Sequence, residues 1–214
     1  RIIYSANSGM MDLRQAVADY LKRKNNLIYH PQDEIVITVG GSEAIDLAIR
    51  SVVNPGDEVL LVEPCFVCYR PIVELMHGVA VAIPTKEENH FKLTAQELRE
   101  HITEKTKMLI LPFPNNPTGG IMTREDLEQI ADVLRETNIV VLSDEIYSEQ
   151  TYGRKHCSIA ELEGMQERTI LVNGFSKSFA MTGWRLGFLA APKPLCQQML
   201  KIHQYAIMCA PTVS

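Results

Sequence analysis

Apolar residues fall in two rhythms along this chain. Short, nearly continuous β-branched and aliphatic runs occur at "EIVITV" (34–39), within "NPGDEVLLVEP" (54–64), and at "VAVAIP" (79–84), "KMLILPF" (107–113), "NIVVLSD" (138–144), "TILVN" (169–173) and "LGFLAAP" (186–192). Each reads as a strand. Between them the period lengthens. Leu13, Ala16, Val17, Tyr20 and Leu21 share one helical face, and "SEAIDLAIRSVV" (42–53) reads as a helix. Thr94-x-x-Glu97 and Thr123-x-x-Asp126 are capping boxes that open two more helices. Apolar strands alternating with helices predict a three-layer αβα domain of the α/β class. Its mostly parallel sheet of about seven strands is buried on both faces. No Gly/Ser-rich linker and no sequence repeat divides the chain, so residues 1–214 read as one domain.

Composition narrows the partners. A net charge of −5, with no long run of like charge, argues against nucleic acid. The largest basic cluster, Lys22-Arg23-Lys24, is a solvated helix end. No apolar stretch reaches membrane-spanning length and no signal-peptide core is present, so no membrane partner is expected. The five cysteines, an odd number in apolar surroundings, suggest reduced thiols in a cytoplasmic protein. Cys65 and Cys68 form a lone C-x-x-C without the second pair a zinc site needs, and read as two small buried residues on a helix. No metal is expected. The chain begins at Arg1 rather than Met, which suggests a piece of something longer.

Ligands of open α/β sheets bind beyond the carboxyl ends of the strands. The segments just past the strands are "GGSEA" (40–44), "PNNPTGG" (114–120), "DEIY" (144–147) and "GFSK" (174–177). The first offers free amides at a helix start, suited to a phosphate. It is not the G-x-G-x-x-G of dinucleotide sites. Singly these are turn and cap residues. Together they supply an anion cradle, an amide, a carboxylate with a phenol, and a lysine, to which Arg185 adds a guanidinium fork. Pyridoxal 5'-phosphate needs this set: a lysine for the Schiff base, an acid for the ring nitrogen, and donors for the phosphate and ring hydroxyl.

"NNPTGG", "SDEIY" and above all "GFSKSFAMTGWRLG" resemble the signature segments of the class I/II aminotransferases, fold-type I pyridoxal phosphate enzymes. The resemblance runs from Tyr4 to Ser214. It implies that Lys177 forms the Schiff base and moves the proton at Cα, and that Asp144 pairs with the ring nitrogen. It implies that Tyr147 and Asn116 bind the ring hydroxyl and that Phe66 stacks on the ring. Gly41, Ser42, Glu43, Ser176 and Arg185 would hold the phosphate. Tyr4 is similar to the tyrosine that reaches the phosphate of a neighbouring subunit, which implies a homodimer with the C-terminal "APTVS" also near that phosphate. Many members carry a serine where Gly174 stands, so one phosphate donor is missing or replaced. Members are about twice as long. The resemblance covers their large domain, without the N-terminal arm or the small domain whose arginine binds the substrate α-carboxylate. Of the other arginines, Arg14, Arg23, Arg99 and Arg135 are expected on helix surfaces.

The implied activity is transfer of an amino group between an amino acid and a 2-oxo acid. Two rivals keep the cofactor: a carbon–sulfur lyase, and the aminotransferase-like sensing domain of a transcription regulator. The residues name neither the amino acid nor the oxo acid.

Overall fold

The computed structural model describes residues 4–212. Its seven strands are β1 (Ile35–Thr38), β2 (Glu58–Glu63), β3 (Val79–Pro84), β4 (Thr106–Leu111), β5 (Val140–Asp144), β6 (Thr169–Gly174) and β7 (Gly187–Ala190). They form one sheet in the order β1-β7-β6-β5-β4-β2-β3. All neighbouring pairs are parallel except those made by β7, which runs antiparallel to both β6 and β1. The helices are α1 (Met11–Asn25), α2 (Gly40–Val52), α3 (Tyr69–Leu75), α4 (Ala95–His101), α5 (Arg124–Arg135) and α6 (Lys193–Ala206).

Strand side chains alternate between two cores. Val59, Leu61, Met108, Ile110, Leu142, Ile170 and Leu189 face α2, α3 and α6. Leu60, Val62, Leu109, Leu111 and Val141 face α4 and α5, while Ile35, Ile37, Leu171 and Phe188 face α1. Both parities are apolar because both faces are covered, which is why these strands read as continuous runs. Full burial of one such leucine is worth roughly 1.5–3 kcal/mol. The three-layer architecture is as expected.

Both predicted capping boxes form: Thr94 Oγ1 accepts from the Glu97 N–H and Thr123 Oγ1 from the Asp126 N–H, and each carboxylate bonds back to its cap residue's amide. Three details differ from expectation. The buried face of α1 is Arg14, Val17, Ala18, Leu21 and Asn25, so Ala16 is exposed and Arg14 is not a surface residue. Arg14 donates to the carbonyls of Gly9, Pro31 and Gln32 at 2.7–3.1 Å, and burial lowers its pKa. Carbonyls satisfy its fork, so the arginine pins the segments before and after α1 to that helix. Cys65 and Cys68 lie half-buried in the loop before α3 rather than on a helix, and burial, the main cause, raises their pKa values to about 11 and about 12. Among the described residues no helix is long and apolar enough to cross a membrane.

Candidate active site

The parallel strands all end on one edge of the sheet. Because β7 runs the other way, the residues just before it lie on that same edge. The segments after β1, β2, β4, β5 and β6 and the turn before β7 thereby meet around one cavity of about 240 Å³. Gly41, Ser42, Phe66, Asn116, Asp144, Tyr147, Ser176, Lys177 and Arg185 all line it. Glu43 and Tyr4 do not.

Asp144, the last residue of β5, is 6% exposed. Burial pushes its pKa up, opposed by the Tyr69 hydroxyl, which donates to Oδ2 at 2.7 Å, and by the Ile146 N–H, which donates to Oδ1 at 3.2 Å. A buried carboxylate with two neutral donors and no cation is poised to accept a cationic N–H. The neighbouring Glu145 points elsewhere, into Ser143, Ser158 and His156. Tyr69 was not among the expected site residues. Its only sequence signal is an aromatic hydroxyl three residues after Phe66, against which it packs edge-on with centroids 5.9 Å apart.

The other wall is ionic and amide in character. Lys177 is exposed toward the open side, its Nζ 5.5 Å from the centroid of the Tyr147 ring. Asn115 orders the loop that carries Asn116: its Oδ1 accepts from the Thr118 N–H and hydroxyl at 3.1 and 2.9 Å. At the start of α2 the amides of Gly40, Gly41 and Ser42 lack helical acceptors, and the positive end of the helix dipole meets the cavity. Arg185 sits against this turn, for a Cβ on Gly40 would lie 2.5 Å from its Nη2. Glu43 was expected on the anion but is turned away. Its Oε2 accepts from the Val39 N–H at 2.5 Å and its Oε1 meets His203 Nδ1 at 2.8 Å. One turn into the helix, its own amide is committed to the i−4 carbonyl. Tyr4 is 79% exposed, away from the cavity; Val213 and Ser214 of the "APTVS" segment lie outside the described residues.

The glycines explain how α2 comes so close to the sheet. A Cβ on Gly187 would stand 2.5 Å from the Gly40 carbonyl carbon and 2.7 Å from the Gly41 nitrogen. Gly187→Ala is therefore expected to push the start of α2 off β7 and to cost about 1–3 kcal/mol. Gly183→Ala, with open space around it, should be near neutral. Urea unfolding of the two variants checks this, and equal midpoints would refute it. Gly174 has a similar constraint. A Cβ there would lie 2.9 Å from Gly187 Cα and 3.1 Å from the Leu186 carbonyl oxygen, so a serine does not fit on this backbone. Thr182, also unanticipated, lines the cavity nearby.

Known proteins place this geometry in context. A family profile described as aminotransferase class I and II matches residues 1–214. The chain is 48% identical over 210 residues to an aspartate aminotransferase of Pyrococcus abyssi, covering 98% of this chain and 54% of that protein. It is 47% identical to aromatic-amino-acid aminotransferase 2 of Thermococcus litoralis, over 98% of this chain and 54% of the relative. The solved aromatic aminotransferase of Pyrococcus horikoshii OT3 superposes with a TM-score of 0.96 at 45% identity, covering 99% of this chain and 57% of that one. The chain thus spans about half the length of the relatives it matches. With the family profile matched along its whole length and its fold and sequence shared with these proteins, the chain belongs to the class I and II aminotransferases.

Proposed function

We propose that residues 1–214 form the pyridoxal phosphate-binding large domain of an aminotransferase that moves an amino group between an amino acid and a 2-oxo acid. The observation that carries this reading is the convergence of Lys177, a buried Asp144 and the α2 amides with Arg185 on one cavity. The residues fit the cofactor. Asp144 lacks the cation that a protonated ring nitrogen supplies. The α2 start, Ser176 and Arg185 suit a phosphate dianion, and Phe66 offers a ring face. Bound there, pyridoxal phosphate contributes a carbonyl that condenses with amines and a ring that draws electrons from Cα.

The chain's own groups do the rest. Asp144 holds the proton on the ring nitrogen. Tyr147 and Asn116 donate to the ring hydroxyl. Lys177 Nζ, once free, takes the proton from the substrate Cα and returns it one position away. Arg185 is committed to phosphate, so the guanidinium for a substrate α-carboxylate comes from beyond this domain. Tyr4, exposed and not part of its own cavity's lining, fits a role on the phosphate of a second copy in a homodimer. The names of the relatives favour dicarboxylic and aromatic amino acids as substrates, and the cysteine usage favours a cytoplasmic setting.

Borohydride reduction of the cofactor-loaded protein, followed by peptide mapping, should label Lys177. A label on another lysine overturns the assignment. Incubation with amino acid alone should consume one equivalent and stop, whereas continuous turnover would favour a lyase.

A further inference from the structure

His203 lies in the last turn of α6 and is fully buried. Its Nδ1 is 2.8 Å from Glu43 Oε1, while its Nε2 has no hydrogen-bond partner among the described residues. An ionised carboxylate only accepts, so Nδ1 carries the proton. A buried ring nitrogen left unpaired is costly, and packing alone favours an aliphatic side chain here. What the histidine gains is the contact with Glu43. That carboxylate sits in the first turn of α2, one residue past the amides that face the cavity, and its second oxygen holds the Val39 N–H at the helix N-cap. A carboxylate free to swing in that turn would compete with an incoming anion for the same amides and repel it.

We propose that His203 is a positioning residue for the anion cradle. Through Nδ1–H it fixes the Glu43 carboxylate on the Val39 N–H and stabilises its charge by that hydrogen bond, which leaves the amides of Gly41 and Ser42, which line the cavity, to a phosphate. This rests on reading the cavity as a phosphate site. Neither His203 nor the Glu43 carboxylate touches the ligand. Their effect is therefore confined to the phosphate end and spares the ring end, where Asp144 and Lys177 act.

That asymmetry gives the test. The full-length protein is titrated with pyridoxal phosphate and, separately, with pyridoxal, which lacks the phosphate; absorbance of the lysine-linked chromophore reports both. His203→Leu should weaken pyridoxal phosphate roughly ten- to hundredfold, the range for losing an outer partner of a ligand-holding group at metal sites. Pyridoxal affinity should change less than about twofold. His203→Asn, whose amide N–H can occupy the Nδ1 position, should keep most of the affinity. His203→Leu/Glu43→Gln removes the stranded charge but keeps an acceptor for Val39, and should return to within about threefold of wild type. If His203→Leu alone does not fold, the asparagine and double variants carry the comparison. Equal losses for both compounds, unchanged phosphate affinity in His203→Leu, or a double variant as weak as tenfold below wild type overturns the proposal. Wild-type protein that binds neither compound overturns the reading of the cavity, and this inference with it.

Discussion

Lys177→Ala is expected to abolish amino transfer in the full-length protein while leaving the fold in place. Lys177 is exposed, and its Nζ lies 5.5 Å from the centroid of the Tyr147 ring. Such a cation–π contact is worth about 0.5–1 kcal/mol at an exposed site, so the melting temperature should shift by only a few degrees. The loss in rate is far larger. Removing the group proposed to carry the proton at Cα should cost on the order of 10⁴-fold, the upper end for a positioned acid–base group. Phosphate and ring contacts survive, so the variant should still bind pyridoxal phosphate, but without the chromophore that the lysine linkage gives. Transamination within tenfold of wild type would show that another amine does this work.

Asp144→Asn should separate activity from stability, with opposite signs. The amide keeps the shape and can pair with both the Tyr69 hydroxyl and the Ile146 N–H, so packing is preserved. Without the negative charge the ring nitrogen loses its proton, and the rate should fall by roughly 10²–10³-fold, as when one preorganised electrostatic partner is removed. Stability of the cofactor-free protein should move the other way. Burial raises the folded-state pKa of Asp144 above its unfolded value. The folded state therefore binds more protons between those two values, and stability falls as pH rises through that window. Above the folded pKa the whole cost of the buried charge is present. Cofactor-free Asp144→Asn should accordingly melt higher than wild type at neutral pH, and the gap should close as pH falls below the usual carboxylate range. A variant that melts lower at pH 7 would mean that the burial cost is already met by Tyr69 and Ile146.

Much of the architecture was legible because the strands are buried on both faces. "VAVAIP" is a strand over the residues read from its apolar run, and both threonine capping boxes open helices where their spacing puts them. The segments past the carboxyl ends of the strands do meet at one cavity, though Glu43 and Tyr4 do not line it. What the sequence could not carry was the direction of side chains in three dimensions. Glu43 follows Gly41 and Ser42 in one motif, yet its carboxylate turns to His203, 160 residues later. Tyr69 reaches Asp144 across 75 residues, a pairing that no local pattern encodes. Arg14 looked like a surface charge because its acceptors are backbone carbonyls, which every residue has. The reversal of β7 was likewise hidden, since an apolar run does not state its direction.

That reversed strand also sets a timetable. Among the described residues β1 has one strand neighbour, β7, with Thr38 opposite Gly187 and Ile35 opposite Ala190. As the chain leaves the ribosome, β1 therefore has no strand to pair with until residues 187–190 appear, although α2 can already pack on β5 and β6. At roughly 5–20 residues per second that delay is on the order of ten seconds. Throughout it β2 to β6 can assemble with α2 on one face, but the pairing of β1 and the close contact of Gly187 with the start of α2 are still missing. A nascent chain halted before residue 187 should protect the β4–β5–β6 region from proteolysis while β1 remains cleavable, and added pyridoxal phosphate should not rescue it. The pairing of β1 with β7 is thus the last step in the assembly of this sheet.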